Sequence, residues 1–351
     1  MAQKTIVIAA GGTAGHVVPA LAVADALRAE GAHVVFVGGE RAEKTLVPAA
    51  GYELRPIAVE GLSRSNPLKA ARAVVRAGKA VGAARAILRE LEPAAVMGGG
   101  GYVAGPVGLA AVRARVPLVL TEADSHLGLT NRLLARRARR VCLAFPIGGR
   151  EGEKYPVTGR PVPRPATDRA AARARFDLDV TDRCVLVFGG SLGARSINEA
   201  AIAGLAGSPY RVLHAAGARD FAALSERELS AGYDLREYID GFGEALLAAD
   251  VCVARSGGSI AEVAAHGLPA ILVPYPHAAG DHQAANARWM ADGGAAVVVP
   301  DAELTPDRLR AEVDALLGDP DRLAQMARAS RALARPDAAA RIAAEVLSAA
   351  S

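Results

Sequence analysis

The chain has 351 residues, of which 51% are hydrophobic and 22% charged, and its formal net charge is +4 at pH 7. This length suits two domains, and the apolar content excludes an intrinsically disordered chain. Aromatic residues make up only 4% of the chain, so a nucleic-acid-binding surface of stacked aromatic side chains is not expected.

Strand-like apolar runs alternate with alanine-rich helical stretches along the whole chain. The first series of runs covers residues 5–10, 33–37, 94–97, 118–121 and 140–145, and the second covers residues 184–188, 211–214, 250–254, 270–273 and 295–299. Such alternation predicts parallel sheets covered by crossover helices. We therefore predict an α/β protein with two doubly wound, Rossmann-like domains.

A proline-rich segment separates the two series of runs. Residues 158–165 contain three prolines, which interrupt helices and sheet ladders alike. We assign residues 1–160 to an N-terminal domain and residues 161–335 to a C-terminal domain. The last part of the chain is rich in alanine and arginine and is interrupted at Pro336. Residues 336–351 are expected to form a final helix that packs back on the first domain.

The cysteines and the apolar runs indicate where the protein resides. Cys142, Cys184 and Cys252 each lie in a short apolar run and are predicted to be buried thiols in a reducing compartment, not disulfide partners or metal ligands. The first apolar run is too short for a secretory signal, and no stretch approaches the roughly 20 apolar residues that span a bilayer. We expect a cytoplasmic protein.

Four glycine-rich loops each follow a predicted strand. They are GGTAGH at residues 11–16, GGGGY at 98–102, GGSLGAR at 189–195 and RSGGSIAE at 255–262. Ligands of open parallel sheets bind beyond the carboxyl ends of the strands, where helix N-termini present free N–H groups. The first loop has neither the G-x-G-x-x-G nor the P-loop pattern. Together, the four loops predict a cleft that holds a diphosphate.

Each loop also has a simpler interpretation as a structural turn. The first could be only a tight strand-to-helix connection, Ser191 only a helix N-cap, and Ser259 with Glu262 a capping box. Four successive glycines cost backbone entropy, and close approach of a ligand would explain them. His16 falls in the first turn of a predicted helix, where the helix dipole would lower its pKa and keep it neutral, as a general base must be.

These motifs resemble, in order and nearly end to end, those of the lipid II-forming N-acetylglucosaminyltransferases of peptidoglycan synthesis, the MurG family. The matching segments are residues 11–19, 98–106, 122–132, 189–195, 255–269 and 283–286. The resemblance implies a GT-B fold, with two Rossmann-like domains facing a central cleft. It also implies inverting transfer of N-acetylglucosamine (GlcNAc) from UDP-GlcNAc to the 4-hydroxyl of MurNAc in undecaprenyl-pyrophosphoryl-MurNAc-pentapeptide, which converts lipid I into lipid II.

The resemblance further implies residue roles. His16 would be the general base. Acceptor-binding residues would be Gly12, His16, Gly99, Gly100, Gly101 and Tyr102. Donor-binding residues would be Thr13, Ala14, Gly15, Asp124, Arg164, Ser191, Ile239, Arg255, Ser256, Gly257, Glu262, Gln283 and Asn286.

The resemblance implies no cofactor and no metal, because helix N-termini and an arginine can stabilise the departing UDP. The chain has one Asp-x-Asp sequence, Asp177 to Asp179. It precedes the predicted strand at 184–188 and so lies at the opposite end of the sheet from the loops. We interpret it as a solvated turn.

Three departures from the family pattern affect particular sites. Residues 121–124 read Thr-Glu-Ala-Asp where the family usually has His-Glu-Gln-Asn, so Asp124 is an acid where an amide is expected. The interval from Arg255 to Glu262 is one residue shorter than expected. The arginine expected after the linker could be Arg164 or Arg160, and we favour Arg164.

A lipid-linked acceptor requires the first domain to contact the membrane. Residues 1–160 carry 22 Lys and Arg against 12 Asp and Glu. On the predicted helix at 67–90, a basic side with Lys69, Arg72, Arg76 and Lys79 opposes an apolar side, as in helices that bind anionic membrane surfaces. An ordinary surface helix with its apolar side in the core would show the same pattern.

The expected partners are UDP-GlcNAc, lipid I, anionic inner-membrane lipids and other cell-wall synthesis proteins, without nucleic acid. The expected location is the cytoplasmic face of the cell membrane, as a peripheral protein. Three alternatives stay open: an isomerase resembling UDP-GlcNAc 2-epimerase, a diacylglycerol glycosyltransferase and a catalytically silent sugar-nucleotide sensor. The basic first domain and the intact His16 favour transfer to an anionic lipid.

Overall fold

The computed structural model describes the backbone of residues 3–59 and 67–351, and the side chains of these residues except 67–77 and 279. The chain forms two compact units. The first comprises Met1–Pro163 and Arg335–Ser351, and the second comprises Arg164–Ala334. The chain therefore passes from the first unit to the second after Pro163, whereas the sequence predicted the boundary after residue 160. The end of the chain belongs to the first unit.

The first unit contains a parallel six-stranded sheet. Its strands are β1 (Thr5–Ala9), β2 (His33–Gly38), β3 (Glu53–Pro56), β4 (Ala95–Gly98), β5 (Leu118–Glu122) and β6 (Arg140–Leu143). They are arranged in the order β3-β2-β1-β4-β5-β6. The central strands are continuous apolar runs because helices cover both faces of the sheet. Ile6 and Val7, which point to opposite faces, are both fully buried.

The second unit repeats this plan. Its strands are β7 (Cys184–Phe188), β8 (Arg211–Ala215), β9 (Tyr233–Arg236), β10 (Val251–Ala254), β11 (Ala270–Leu272) and β12 (Ala296–Val298). They run parallel in the order β12-β11-β10-β7-β8-β9. The units thus have the same strand order, and each is a doubly wound α/β fold, as the sequence predicted.

Helices connect the strands in both units. They are α1 (Ala14–Ala29), α2 (Ala42–Ala49), α3 (Pro67–Leu91), α4 (Ala104–Ala114), α5 (Leu129–Leu134), α6 (Arg169–Arg175), α7 (Arg195–Leu205), α8 (Phe221–Leu224), α9 (Phe242–Ala248), α10 (Ile260–His266), α11 (His282–Asp292), α12 (Pro306–Leu317), α13 (Pro320–Leu333) and α14 (Ala338–Ala349). Short 3-10 turns cover Ala279–Asp281 and Asp301–Glu303. Among the described helices, none is both long and apolar enough to cross a bilayer.

Two layers of helices enclose the first sheet. On one face α1 packs with α14, whose Ile342 and Val346 are buried in that core. On the other face α3 and α4 pack together, and the buried Val81 and Leu88 place the described apolar side of α3 in the core. Lys79 is exposed, as predicted. The side chains of Lys69, Arg72 and Arg76 lie outside the described residues.

Both sheets contain a switch point, where successive crossovers leave in opposite directions. In the first sheet it lies between β1 and β4, and in the second between β7 and β10. A crevice opens beyond the carboxyl ends of the strands at such points, and ligands bind there. The four glycine-rich loops follow these four strands. The fold therefore groups the predicted loops in pairs, one pair in each unit.

The three cysteines are buried and unpaired, as predicted. Burial raises the pKa of Cys142 and of Cys184 to about 12. It also raises the pKa of Cys252. The thiols therefore stay protonated at neutral pH and act as small apolar side chains.

Candidate active site

The loop after β1 leads directly into α1 and carries His16. The helix begins at Ala14, so His16 lies in its first turn, as predicted. The N–H of His16 donates to the carbonyl oxygen of Thr13 at 3.0 Å, and Nδ1 lies 3.2 Å from the Thr13 hydroxyl oxygen. The first N–H groups of a helix have no acceptor within it. The exposed Ala14 and Gly15 therefore present N–H groups to the solvent side of the loop.

The environment of His16 favours the neutral imidazole. Burial and, next in importance, the Arg160 guanidinium lower its pKa, while the carboxylates of Asp124 and Glu43 oppose them. The direction of the shift is the predicted one. Burial and Arg160, which the sequence did not indicate, contribute to it. A neutral imidazole is able to accept a proton, as a general base must.

Arg160 lies in this site of the first unit. Its Nη2 donates to the carbonyl oxygen of Gly15 at 2.7 Å. Arg160 and His16 also line one small cavity of about 30 Å³ together with Gly99. Arg164 is exposed and begins the second unit. In the first unit, the linker arginine that accompanies His16 is therefore Arg160.

A larger cavity of about 220 Å³ adjoins His16. It brings together His16 and the glycine residues 99–101, which the resemblance assigned to the acceptor, and Asp124, which it assigned to the donor. The cavity is also lined by Glu122, which is buried. Its carboxylate accepts hydrogen bonds from the N–H of Gly128 and from Nδ2 of Asn131 at 2.8 and 2.9 Å.

Glu122 was not predicted as a site residue, although it lies in a quoted motif. Burial raises its pKa, and the hydrogen bonds from Gly128, Asn131 and Asp124 act in the opposite direction. The backbone N–H of Asp124 donates to it at 3.2 Å. Its position in the sequence could have indicated this role, because Glu122 is the last residue of a buried strand and a buried carboxylate needs hydrogen-bond donors. Its contacts set the shape of the loop that carries Asp124.

Protein contacts account for the four successive glycines that we attributed to a ligand. A β-carbon at Gly98 would lie 2.8 Å from Leu120 Cδ2, and one at Gly100 would lie 2.7 Å from His16 Cδ2. One at Gly99 would crowd Ala10, and one at Gly101 would overlap the Gly11 carbonyl oxygen. The run allows the loops of the first unit to touch each other and His16, so protein contacts by themselves require glycine at these positions, and the close approach of a ligand stays a prediction.

Two predicted acceptor-binding residues direct polar groups into the protein. The Tyr102 hydroxyl donates to Glu43 Oε1 at 2.8 Å, and the Gly12 N–H donates to Glu43 Oε2 at 2.8 Å. Neither group is therefore directed at the cavity. No pattern in the sequence marked Glu43 as a site residue.

In the second unit, the loop after β7 carries Ser191. The helix that follows begins at Arg195 and has Ala194 as its N-cap, so the N-cap interpretation of Ser191 is wrong. Ser191 is exposed, and its carbonyl oxygen accepts a hydrogen bond from the Tyr238 hydroxyl at 2.8 Å. Ile239 follows Tyr238 in sequence and is largely buried. The structure thus places the loop of Ser191 beside the segment of Ile239, and both residues are among those predicted for the donor.

Arg255 is engaged by protein groups. It is buried, and its Nη1 donates to Asp301 Oδ1 at 2.6 Å. The same nitrogen donates to the Val273 carbonyl oxygen at 3.1 Å, and Nη2 donates to the Ser196 hydroxyl at 2.9 Å. The guanidinium of Arg255 therefore stabilises the loop after β10 through hydrogen bonds to neighbouring protein groups. The resemblance implied a donor-binding role for Arg255, and these contacts hold its guanidinium against protein groups.

The remaining predicted donor residues support one another through hydrogen bonds. Ser256 and Asn286 are fully buried. The Ser256 hydroxyl donates to the Gln283 carbonyl oxygen at 2.7 Å, and Asn286 Nδ2 donates to the Ser256 carbonyl oxygen at 3.0 Å. Gln283 Oε1 accepts a hydrogen bond from the Tyr275 N–H at 3.0 Å. These contacts join the loop after β10, with its Gly257, to the start of α11.

The capping-box interpretation of the loop at 255–262 is wrong. Ser259 is the N-cap of α10, but its side chain makes no capping hydrogen bond. Glu262 lies in the first turn and is half-buried. Asp177 and Asp179 are exposed in the turn before β7, as predicted, at the opposite end of the sheet from these loops.

Comparison with known proteins agrees with this architecture. Residues 6–143 match the glycosyltransferase family 28 N-terminal domain, and residues 184–342 match the family 28 C-terminal domain. The chain is 41% identical over 351 residues to the UDP-N-acetylglucosamine--N-acetylmuramyl-(pentapeptide) pyrophosphoryl-undecaprenol N-acetylglucosamine transferase of Halorhodospira halophila, covering 98% of both chains. It is 44% identical to the protein of the same name from Alkalilimnicola ehrlichii, covering 96% of this chain and 97% of the relative.

Solved structures show the same fold. The crystal structure of Acinetobacter baumannii MurG matches with a TM-score of 0.78 and 31% identity, covering 98% of this chain and 99% of that chain. A UDP-N-acetylglucosamine 2-epimerase matches with a TM-score of 0.70 at 13% identity, over 98% of this chain and 96% of that chain. That likeness concerns the fold alone. With its two Rossmann-like units in the GT-B fold, the chain belongs to glycosyltransferase family 28 and, within it, to the MurG family.

Proposed function

We propose that the chain transfers GlcNAc from UDP-GlcNAc to the 4-hydroxyl of MurNAc in undecaprenyl-pyrophosphoryl-MurNAc-pentapeptide. One observation carries the proposal: transferases named for this reaction are 37% to 44% identical to the chain over nearly its whole length. The neutral His16 beside a cavity of the first unit supports it.

In the proposed mechanism His16 is the general base. We assign the proton of the neutral ring to Nδ1, 3.2 Å from the Thr13 hydroxyl oxygen, and this tautomer leaves Nε2 as the proton acceptor. Nε2 removes the proton from the acceptor hydroxyl, and that oxygen attacks the anomeric carbon of GlcNAc. The bond between this carbon and the UDP oxygen breaks as the new bond forms, so the configuration inverts. UDP leaves with the bonding electrons.

We propose that the second unit binds the donor without a metal. The loops around Ser191 and Ser256 precede α7 and α10 at the switch point, where helix N-termini favour the negative charge of a departing diphosphate. Glu262, Gln283 and Asn286 are proposed for the ribose and sugar hydroxyls. A transfer rate unchanged by EDTA would support this proposal, and a rate restored only by added Mg²⁺ would contradict it.

The release of UDP tests the reaction class. UDP-GlcNAc is incubated with and without the lipid-linked acceptor, and UDP is measured by a coupled assay. A transferase releases UDP only with the acceptor, in a one-to-one ratio to the product. An epimerase would convert the donor without it, and UDP release with diacylglycerol alone would support the glycolipid alternative. An inactive chain that binds UDP-GlcNAc would support the sensor.

We further propose that the first unit binds the cytoplasmic face of the membrane through anionic lipids. Besides the predicted basic side of α3, the helix α5 exposes Leu129 and Leu133, which are 49% and 68% exposed and lie one turn apart. Arg132 and Arg136 are exposed beside them. Apolar and basic side chains on one short surface suit a lipid interface. Association with other cell-wall synthesis proteins stays a prediction.

A further inference from the structure

A buried carboxylate lies beneath the loops of the first unit. Glu43 in α2 has no exposed surface, and its two oxygens accept three hydrogen bonds. Oε2 accepts from the N–H of Gly12 at 2.8 Å, while Oε1 accepts from the N–H of Gly39 at 2.9 Å and from the Tyr102 hydroxyl at 2.8 Å. Three donors around one carboxylate compensate for its loss of water.

The three donors come from three different loops. Gly12 follows β1, Gly39 follows β2 and Tyr102 follows β4. These strands are neighbours in the sheet, in the order β2-β1-β4. One side chain therefore joins three adjacent loops at the carboxyl end of the sheet, and two of these loops line the cavity beside His16.

Close packing around Glu43 explains several glycines. A β-carbon at Gly11 would lie 2.7 Å from Glu43 Oε1, and one at Gly38 would lie 2.8 Å from Glu43 Cγ. A β-carbon at Gly39 would overlap the Tyr102 hydroxyl. The loops thus surround the carboxylate so closely that no side chain fits between them.

The carboxylate is held in its ionised form. Burial alone would raise the pKa of Glu43, but the hydrogen bonds from Gly12, its own N–H, Tyr102 and Gly39 lower it overall. At neutral pH the group accepts from all three loops at once. A neutral amide of the same shape could not, because its NH2 group would face an N–H donor.

We propose that Glu43 is a positioning residue for acceptor binding, which holds the loop of Gly12 to His16 and the loop of Gly100 to Tyr102 in their binding arrangement. The inference rests on the proposed function. Glu43 acts through these loops and does not itself touch the substrate. Its loss should therefore weaken acceptor binding while donor binding by the second unit stays intact.

The test compares Glu43→Gln with Glu40→Gln, a control that changes an exposed glutamate paired with Lys44. For Glu43→Gln we expect the acceptor KM to rise about tenfold or more, because a buried donor loses its partner. The affinity for UDP, measured by calorimetry, stays unchanged. Glu40→Gln should leave both the acceptor KM and the affinity for UDP at their wild-type values. An acceptor KM within twofold of the wild-type value would overturn the proposal, and so would an equal loss of UDP affinity.

Amide hydrogen exchange tests Glu43 without any activity. The N–H groups of Gly12 and Gly39 should exchange faster in Glu43→Gln than in the wild-type chain and in Glu40→Gln. Unchanged exchange at both glycines would contradict the inference. A wild-type chain that transfers no sugar would instead refute the proposed function, so the two failures are distinguishable.

A third variant covers the case in which Glu43→Gln does not fold. Tyr102→Phe removes one donor and leaves the carboxylate with two N–H groups. We expect a smaller rise of the acceptor KM, about threefold, with UDP affinity unchanged. An acceptor KM equal to that of the wild-type chain would overturn the proposal.

Discussion

His16 shows how neighbouring charges set the state of one side chain. Burial and Arg160 lower its pKa, and Asp124 and Glu43 raise it. Glu122 and Thr13 complete the polar groups around the imidazole. A base with a lowered pKa stays neutral to lower pH, so transfer should lose rate only below the ordinary pKa of histidine, about 6.5.

Two substitutions should shift the pH at which transfer loses rate in opposite directions. Arg160→Gln removes a positive charge and raises the pKa of His16, so the fall in kcat/KM should begin at higher pH. Asp124→Asn removes a negative charge and should shift the fall to lower pH. The measurement is the pH dependence of kcat/KM for the acceptor. Shifts in the same direction would contradict the assignment of His16 as the base.

Thr13 should contribute by orienting the imidazole. Thr13→Val keeps the shape but removes the hydroxyl that lies 3.2 Å from Nδ1, so we expect kcat to fall about five- to tenfold, the value of one hydrogen bond. Thr13→Ser keeps the hydroxyl and should keep most of the rate. Equal rates for the Val and Ser variants, measured at saturating substrates, would show that this contact does not matter.

Helix α7 and the second sheet are joined by a buried chain of polar groups. His214 in β8 is fully buried, with Nδ1 2.8 Å from the Tyr233 hydroxyl oxygen and Nε2 3.0 Å from Asn198 Oδ1. Asn198 Nδ2 donates in turn to Asp220 at 3.2 Å. Burial lowers the pKa of His214 to about 4. The neutral ring thus links two strands to the helix that follows the Ser191 loop.

This histidine should make the second unit sensitive to acid. Between pH 6.5 and about 4 the unfolded chain binds a proton that the folded chain does not, so stability falls as the pH falls through this window. We expect His214 to account for about 2 kcal/mol of lost unfolding free energy between pH 7 and pH 5. His214→Gln should lose less over this interval.

Urea unfolding at the two pH values provides the measurement. The single tryptophan of the chain, Trp289, lies in α11 of the second unit, so its fluorescence reports this unit. The same pH dependence in His214→Gln and in the wild-type chain would contradict the role of His214.

The exposed surface of α5 should contribute to membrane binding. Leu133→Gln removes an apolar contact and Arg136→Gln a positive charge, and each should reduce co-sedimentation with anionic vesicles about fivefold at low salt. Neutralising Arg72, Arg76 and Lys79 together tests α3. Val180→Gln changes an even more exposed apolar residue, in the second unit, and should have no effect. Binding that is unchanged by salt and by all these variants would contradict the membrane proposal.

The sequence predicted ten of the twelve strands of the two sheets and missed β3 and β9. β3 and β9 each end their sheet, and their sequences ELRP and YDLR are short and polar. These two partly exposed edge strands carry charged side chains and therefore leave no apolar run, whereas β6 and β12, which also end their sheets, keep one. The central strands have such runs, and they position the four glycine loops.

The site could be predicted only in part. Its glycine-rich loops could be recognised in the sequence, but the contacts between residues far apart in the sequence could not. Glu43 bonds to residues 31 and 59 positions away, and Arg255 pairs with Asp301 over 46 positions. Such contacts depend on which strands become neighbours and on side-chain direction. No local pattern contains either, which is why Glu43 was missed and why the contacts of Arg255 with the protein were not foreseen.

The two units of the molecule have the same architecture. Each unit has the same strand order and a switch point with two glycine-rich loops. In the first unit these loops surround a neutral histidine, which suits proton removal from an acceptor. In the second unit they precede helices α7 and α10, which suits a departing diphosphate. This division of labour is what a transferase with two different substrates requires.

Transfer of the labelled sugar is the most direct measurement of this division. UDP-GlcNAc with a radiolabelled sugar is incubated with undecaprenyl-pyrophosphoryl-MurNAc-pentapeptide in detergent, and the lipid is extracted. The wild-type chain should move the label into the lipid in β linkage to MurNAc, and His16→Ala should slow this step about 100-fold or more. Label that stays in the aqueous nucleotide fraction, or an α-linked product, would contradict the account.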